Sequence, residues 1–145
     1  MEEVLPRVKQ NYIANIVAAV AAFLVEAAWN SYFQQAWLNG LGRTRDWLAA
    51  TGVNPALQYG AALVAAFFVA TSISCVVQIG GPQTLLRGIR AGVLLWLGFV
   101  VPAFATEYVF EVRSWAFFGI TIGVWLAAMI VMGAIVGVWR RSRPA

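Results

Sequence analysis

The sequence has no histidine and a single cysteine, Cys75, set in an apolar run. A lone cysteine excludes an intrachain disulfide. Without histidine or a cysteine cluster there is no donor set for zinc, haem or an iron–sulfur centre, so neither a metal nor a cofactor is expected. Charge is scarce too. Charged residues make up 11% of the chain, against about a quarter in soluble domains. Hydrophobic residues reach 61%, too many for a soluble protein to cover. Phosphate loops, dinucleotide fingerprints, nucleophile elbows and zinc-protease motifs are also missing. The formal charge is +4, but the basic residues stand at the ends of apolar segments. That placement suits anionic lipid headgroups rather than nucleic acid, which needs a basic patch on a polar fold.

What the chain does have is long apolar segments. A helix needs roughly 20 apolar residues to cross a bilayer core, so 145 residues leave room for about four spans and no separate globular domain. The spans are expected at about 11–33, 56–79, 84–110 and 115–139, forming one membrane domain. Arg7 and Lys9 stand before the first span like the front of a signal peptide. The apolar run behind them is too long, and no cleavage site follows cleanly, so a retained anchor is expected. Gly40 and Gly42 are expected to break the helix after Phe33. Residues 43–51 read equally as a turn or two of interfacial helix or as an irregular loop anchored by Trp37 and Trp47. Asn54-Pro55 is a helix start, since Asn caps and Pro loses nothing in a first turn. Gly80-Gly81-Pro82 ends the second span. Ser114 caps the fourth, after a connection so short that spans three and four must be adjacent and antiparallel.

Several small residues look like packing devices. Gly88 and Gly92 allow close approach of the third span, and Gly119/Gly123 and Gly133/Gly137 are small-x-x-x-small steps on the fourth. Pro102 removes one backbone hydrogen bond inside the third span and leaves the Gly98 carbonyl short of a partner. In lipid that carbonyl needs another donor, so the kink is expected to face protein. Self-association through the glycine faces, or a membrane-protein partner, follows as an expectation. Orientation follows from basic residues. Arg7, Lys9, Arg87, Arg90, Arg140, Arg141 and Arg143 put seven on one side; Arg43, Arg45 and Arg113 put three on the other. The richer side is expected in the cytoplasm, with both termini. The opposite face carries Trp29, Tyr32, Trp37, Trp47, Tyr59, Tyr108 and Trp115 as interfacial aromatics.

The chemistry centres on the first span. Asn15, Ala22, Glu26 and Asn30 share one helical face, because steps of three or four residues return to the same side. A carboxylate inside a span costs several kcal/mol if ionised and unpaired, so Glu26 must be protonated, paired or near water. Depth matching places Ala61, Ala62 and Ala65, Ala103 to Thr106, and Thr121 at its level, with no cation among them. Glu26 therefore reads as a proton relay or ligand-orienting acid, as a neutral side chain bonded between helices, or as a carboxylate close enough to the outer interface to be hydrated. Glu107, Glu111 and Arg113 form a second group, read first as a salt-bridged helix end and second as acid–base candidates. Thr71, Cys75 and Gln78 can line a polar seam or bond within the bundle, and Cys75 itself reads as an apolar filler. Trp96 and Trp125 read as packing anchors.

The run Ala27-Ala28-Trp29-Asn30-Ser31, followed by Ala36-Trp37, resembles the end of the first helix in domain-of-unknown-function family 1761. The second half resembles the same family more closely, in Trp96-Leu97-Gly98-Phe99, Phe110-Glu111-x-Arg113, Gly123, Gly133-Ala134-Ile135-x-Gly137 and Trp139. The resemblance runs from about Asn11 to Trp139 and implies a small bacterial membrane protein with four spans. It implies no activity. The family pattern has a small residue at position 26 and an aromatic at 30, so the polar stripe belongs to this member. The expected fold is an all-α, integral membrane four-helix bundle, up-down-up-down, in a bacterial inner membrane. Three functions stay open: a non-catalytic binding or accessory protein, a small-solute or proton-coupled ion pathway using Glu26, and a membrane-embedded acid–base enzyme. The third is weakest, for want of histidine or a nucleophile–base pair.

Overall fold

The computed structural model describes residues 8–139. Arg7, Arg140, Arg141 and Arg143, which carry much of the expected charge asymmetry, lie outside the described residues. In chain order the elements are α1 (Tyr12–Tyr32), α2 (Gln34–Leu41), α3 (Arg45–Ala50), α4 (Pro55–Ile79), α5 (Leu85–Leu95), a π-helical turn (Trp96–Val100), α6 (Val101–Phe110) and α7 (Trp115–Val138). There is no strand among the described residues. α1, α4, the continuous Leu85–Phe110 stretch and α7 are four helices long and apolar enough to cross a membrane.

Each long helix starts on a side-chain cap, which accepts from one of the backbone N–H groups left without an intrahelical partner. Asn11 accepts from Ala14, Asn54 from Ala56, Thr84 from Arg87 and Ser114 from Phe117. At the end of α4 the Arg87 guanidinium donates to the Gly80 carbonyl at 2.8 Å, holding the turn into α5.

α7 packs against α1, α4 and α5, and α4 also packs against α1 and α5. The inner surface is built from Ala18, Ala22, Ala70, Ile73, Ala128, Met129, Met132 and Val136. Between α5 and α7 the packing is backbone on backbone. A Cβ added at Gly88 would stand 2.8 Å from the Gly133 carbonyl carbon and 2.9 Å from the Gly137 Cα. One added at Gly92 would stand 3.0 Å from the Met129 carbonyl carbon. The pairs Gly88–Gly133 and Gly92–Met129 run in opposite senses along the chain, so α5 and α7 are antiparallel. These glycines are used up inside the chain. Gly119 is different: a Cβ there would meet nothing within 4 Å. It is not a packing position within this chain, unlike Gly123, whose Cβ would stand 2.9 Å from the Trp29 ring.

Three local expectations are corrected. Gly40 does not break a helix; it lies inside α2, where it lets the Phe117 ring lie against its backbone. The break falls at Gly42, which ends α2 in the left-handed region at φ 63°. Pro102 does not bend the third span toward protein. The chain absorbs the missing donor by widening to a π turn, in which the Val101 N–H reaches the Trp96 carbonyl five residues back. Gly98, Phe99 and Pro102 are exposed. Tyr108 is no interfacial aromatic either; it is buried among Phe104, Phe117 and Phe118. Residues 45–50 resolve the open alternative as a short helix, capped by Thr44.

Candidate functional site

The polar residues of α1 fall into two separate places. Near its start, Asn15 is fully buried. Its amide donates to Gln10 Oε1 at 2.9 Å and to Thr71 Oγ1 at 3.1 Å. Gln10 in turn donates to the Cys75 sulfur at 2.8 Å. The Lys9 N–H reaches Gln78 Oε1, and Gln78 donates to Ser74. Thr71, Cys75 and Gln78 thus tie α4 to α1 and to the residues just before it rather than line an open seam. Cys75 is a hydrogen-bond acceptor here, not simply an apolar filler. Asn15 Oδ1 stays buried without a donor.

Eleven residues further along α1, about 16 Å of helix rise, Glu26 lies half-buried at a recess of about 190 Å³. The recess is lined by Glu26 and Asn30 of α1, Trp37 of α2, and Ile120, Thr121, Val124 and Trp125 of α7. Asn30 joins Glu26 because the two are one helical turn apart. Thr121 meets them because it sits at the same depth on α7. The Thr121 hydroxyl is shared with the Tyr108 hydroxyl at 2.5 Å. Trp29, on the next side of α1, lies over Gly123 with its Nε1 buried and unpartnered. Among the described residues Glu26 has neither a hydrogen bond nor an ion pair.

Other residues expected near Glu26 are elsewhere. Thr106 is exposed and donates to the Pro102 carbonyl of its own helix at 2.9 Å. Ala61, Ala62, Ala65 and Ala103 to Ala105 do not line the recess. Depth counting fixes a residue's level but not its direction around the bundle, and the Glu26 side of α1 faces α7. Glu107 is exposed and lines neither cavity.

A second cavity, about 570 Å³, opens at the same end of the chain. It lies between residues 39–43 and Trp47 on one side and residues 111–114 on the other. Arg113 is ion-paired with Glu111 of the same wall. In the sequence Arg43 stands out only as one of the basic residues, and nothing there sets it opposite Arg113. No periodic signal reveals that meeting, because it depends on where two helices end. Among the described residues no three metal-ligating side chains come together.

Neither a curated protein nor a solved structure matches the chain. A family model described as "Protein of unknown function (DUF1761)" matches residues 13–137, from the first turn of α1 to the last of α7. The chain belongs to that family.

Proposed function

We propose that this is a non-catalytic binding protein of a bacterial inner membrane. Its helices cross in up-down-up-down order with both termini in the cytoplasm, and its Glu26 recess receives a hydrogen-bond-donating group from another molecule. One observation carries the reading: Glu26 is half-buried beside Asn30 and Thr121 with no donor of its own. Buried acceptors are ordinarily satisfied, so this one is available to a ligand. The indoles of Trp37 and Trp125 line the same recess and favour a cationic donor such as an ammonium group.

Binding is favoured over conduction because the two polar places on α1 are separated by buried Ala18, Ala19 and Ala22. Gly60, Gly98 and Gly119 have open space where a side chain would be, so a second copy or another membrane protein would find small contact positions there.

The test is titration of the purified full chain with butylammonium, followed by tryptophan fluorescence, with butanol as the neutral control. Saturable quenching by the amine, lost in Glu26→Gln, is the expected result. Equal responses to both probes, or an unchanged response in Glu26→Gln, would overturn the reading. Orientation has its own check: a C-terminal reporter active only outside the cell should stay silent.

A further inference from the structure

We propose that the larger cavity is a clamp for a phosphate-bearing group, with Arg43 and Arg113 as its two jaws. The two walls are built alike. α2 ends at Leu41, Gly42 turns left-handed at φ 63°, and the Arg43 N–H reaches back to the Leu38 carbonyl at 3.0 Å. α6 ends at Phe110, Val112 turns left-handed at φ 54°, and the Arg113 N–H reaches back to the Tyr108 carbonyl at 3.0 Å. Each turn delivers an arginine as the first residue after its left-handed position. Glycine adopts that conformation freely, but a β-branched valine does so only when its surroundings hold it there.

Both guanidinium groups are fixed on ring faces rather than spent on the carbonyls of the helix they follow. Arg43 lies 4.4 Å from the centre of the Trp47 ring. Arg113 lies 5.4 Å from Tyr108 and 5.6 Å from Phe117. Stacking orders a guanidinium while leaving its edge N–H groups available. The Arg43 guanidinium makes no hydrogen bond or ion pair among the described residues, so its side-chain donors are free. Arg113 is shared with Glu111, an exposed carboxylate that an incoming anion can displace. With Glu111 as the only acidic residue lining it, the cavity keeps one positive charge in excess. Asn39 and Ser114 add neutral polar groups to the lining.

Two planar forks lining one cavity suit the oxygens of a phosphate better than a point charge does. The cavity is also at a helix end bearing exposed Trp47 and Trp115, residues that favour the headgroup level of a bilayer. The phosphate can therefore belong to a lipid headgroup or to a soluble phosphate ester. This site is independent of the Glu26 recess, and its failure would leave that reading untouched.

The experiment is native mass spectrometry of the full chain in detergent, titrated separately with dioleoyl-phosphatidylglycerol and with inorganic phosphate. Retention of the lipid, displaced by phosphate, identifies a headgroup site. Phosphate binding without lipid retention identifies a soluble phosphate ligand. In either case Arg43→Gln, which removes an exposed side chain from no packed core, should weaken binding about tenfold or more. Arg113→Gln should do the same, and Arg90→Gln, an equal charge change at the other end of the bundle, should not. Glu111→Gln should tighten binding several-fold by freeing Arg113. The clamp is wrong if neither probe binds, if Arg90→Gln weakens binding as much as Arg43→Gln, or if Glu111→Gln leaves affinity unchanged.

Discussion

Tyr108 and Thr121 join their hydroxyls at 2.5 Å, and this bond ties α6 to the wall of the Glu26 recess. It shows how the third span contributes to a recess that none of its residues lines. Tyr108 is buried while Thr121 borders the recess, so the bond spends the Thr121 hydroxyl inside the protein.

Tyr108→Phe keeps the ring and removes that bond. It should lower stability by about 1 kcal/mol, the net contribution of one such bond. Thr121→Val should cost a similar amount, and the double variant should cost less than the two separately, because both remove the same interaction. Denaturant titration in mixed micelles measures all three. Strict additivity would mean that the two hydroxyls do not act together.

The α5–α7 contact gives a sharper contrast between glycines. Gly88→Val or Gly133→Val forces a branched side chain against backbone that cannot move aside. Each should cost about 3 kcal/mol, at the upper end of ordinary overpacking. Gly119→Val meets open space and should change the stability of the isolated chain by less than about 0.5 kcal/mol. Comparing folded yield and unfolding midpoint of the three settles it. A Gly119 variant as damaged as the Gly88 variant would place an unrecognised contact at that face.

These cases show what the sequence could and could not disclose. Composition and apolar run length determine that there are four long helices, and cap residues such as Asn54 and Ser114 place where they begin. Glycine spacing marked Gly88, Gly92, Gly133 and Gly137, since a backbone contact needs missing side chains at helical intervals. The same spacing also marked Gly119, because a pattern along one helix does not say whether a second helix is there. Depth matching found Thr121 for Glu26 but also offered Thr106, because level along a membrane normal leaves rotation about each helix undetermined. Pro102 was legible as a lost donor. Its repair by a π turn was not, since the register of a helix responds to several turns of packing at once. The Arg43–Arg113 cavity was invisible for a related reason: two unrelated helix endings meet there only after the bundle forms.

The α1–α4 network offers a direct chemical readout, because Cys75 is the only thiol in the sequence. The Gln10 amide donates to its sulfur, and Asn15 holds Gln10 in place while donating to Thr71. Asn15→Ala removes both of the hydrogen bonds that the Asn15 amide donates from a fully buried position. It should cost about 1–2 kcal/mol, the range for hydrogen bonds between membrane helices. It should also weaken the hold on Gln10 and loosen the approach to Cys75, which is already partly accessible. Labelling by membrane-permeant N-ethylmaleimide should then speed up several-fold in Asn15→Ala and in Gln10→Ala, while Glu26→Gln, far along the same helix, should leave the rate unchanged. Equal labelling rates in all four proteins, wild type included, would mean that the network does not govern access to the thiol, and that α1 and α4 are held together by their alanine surfaces alone.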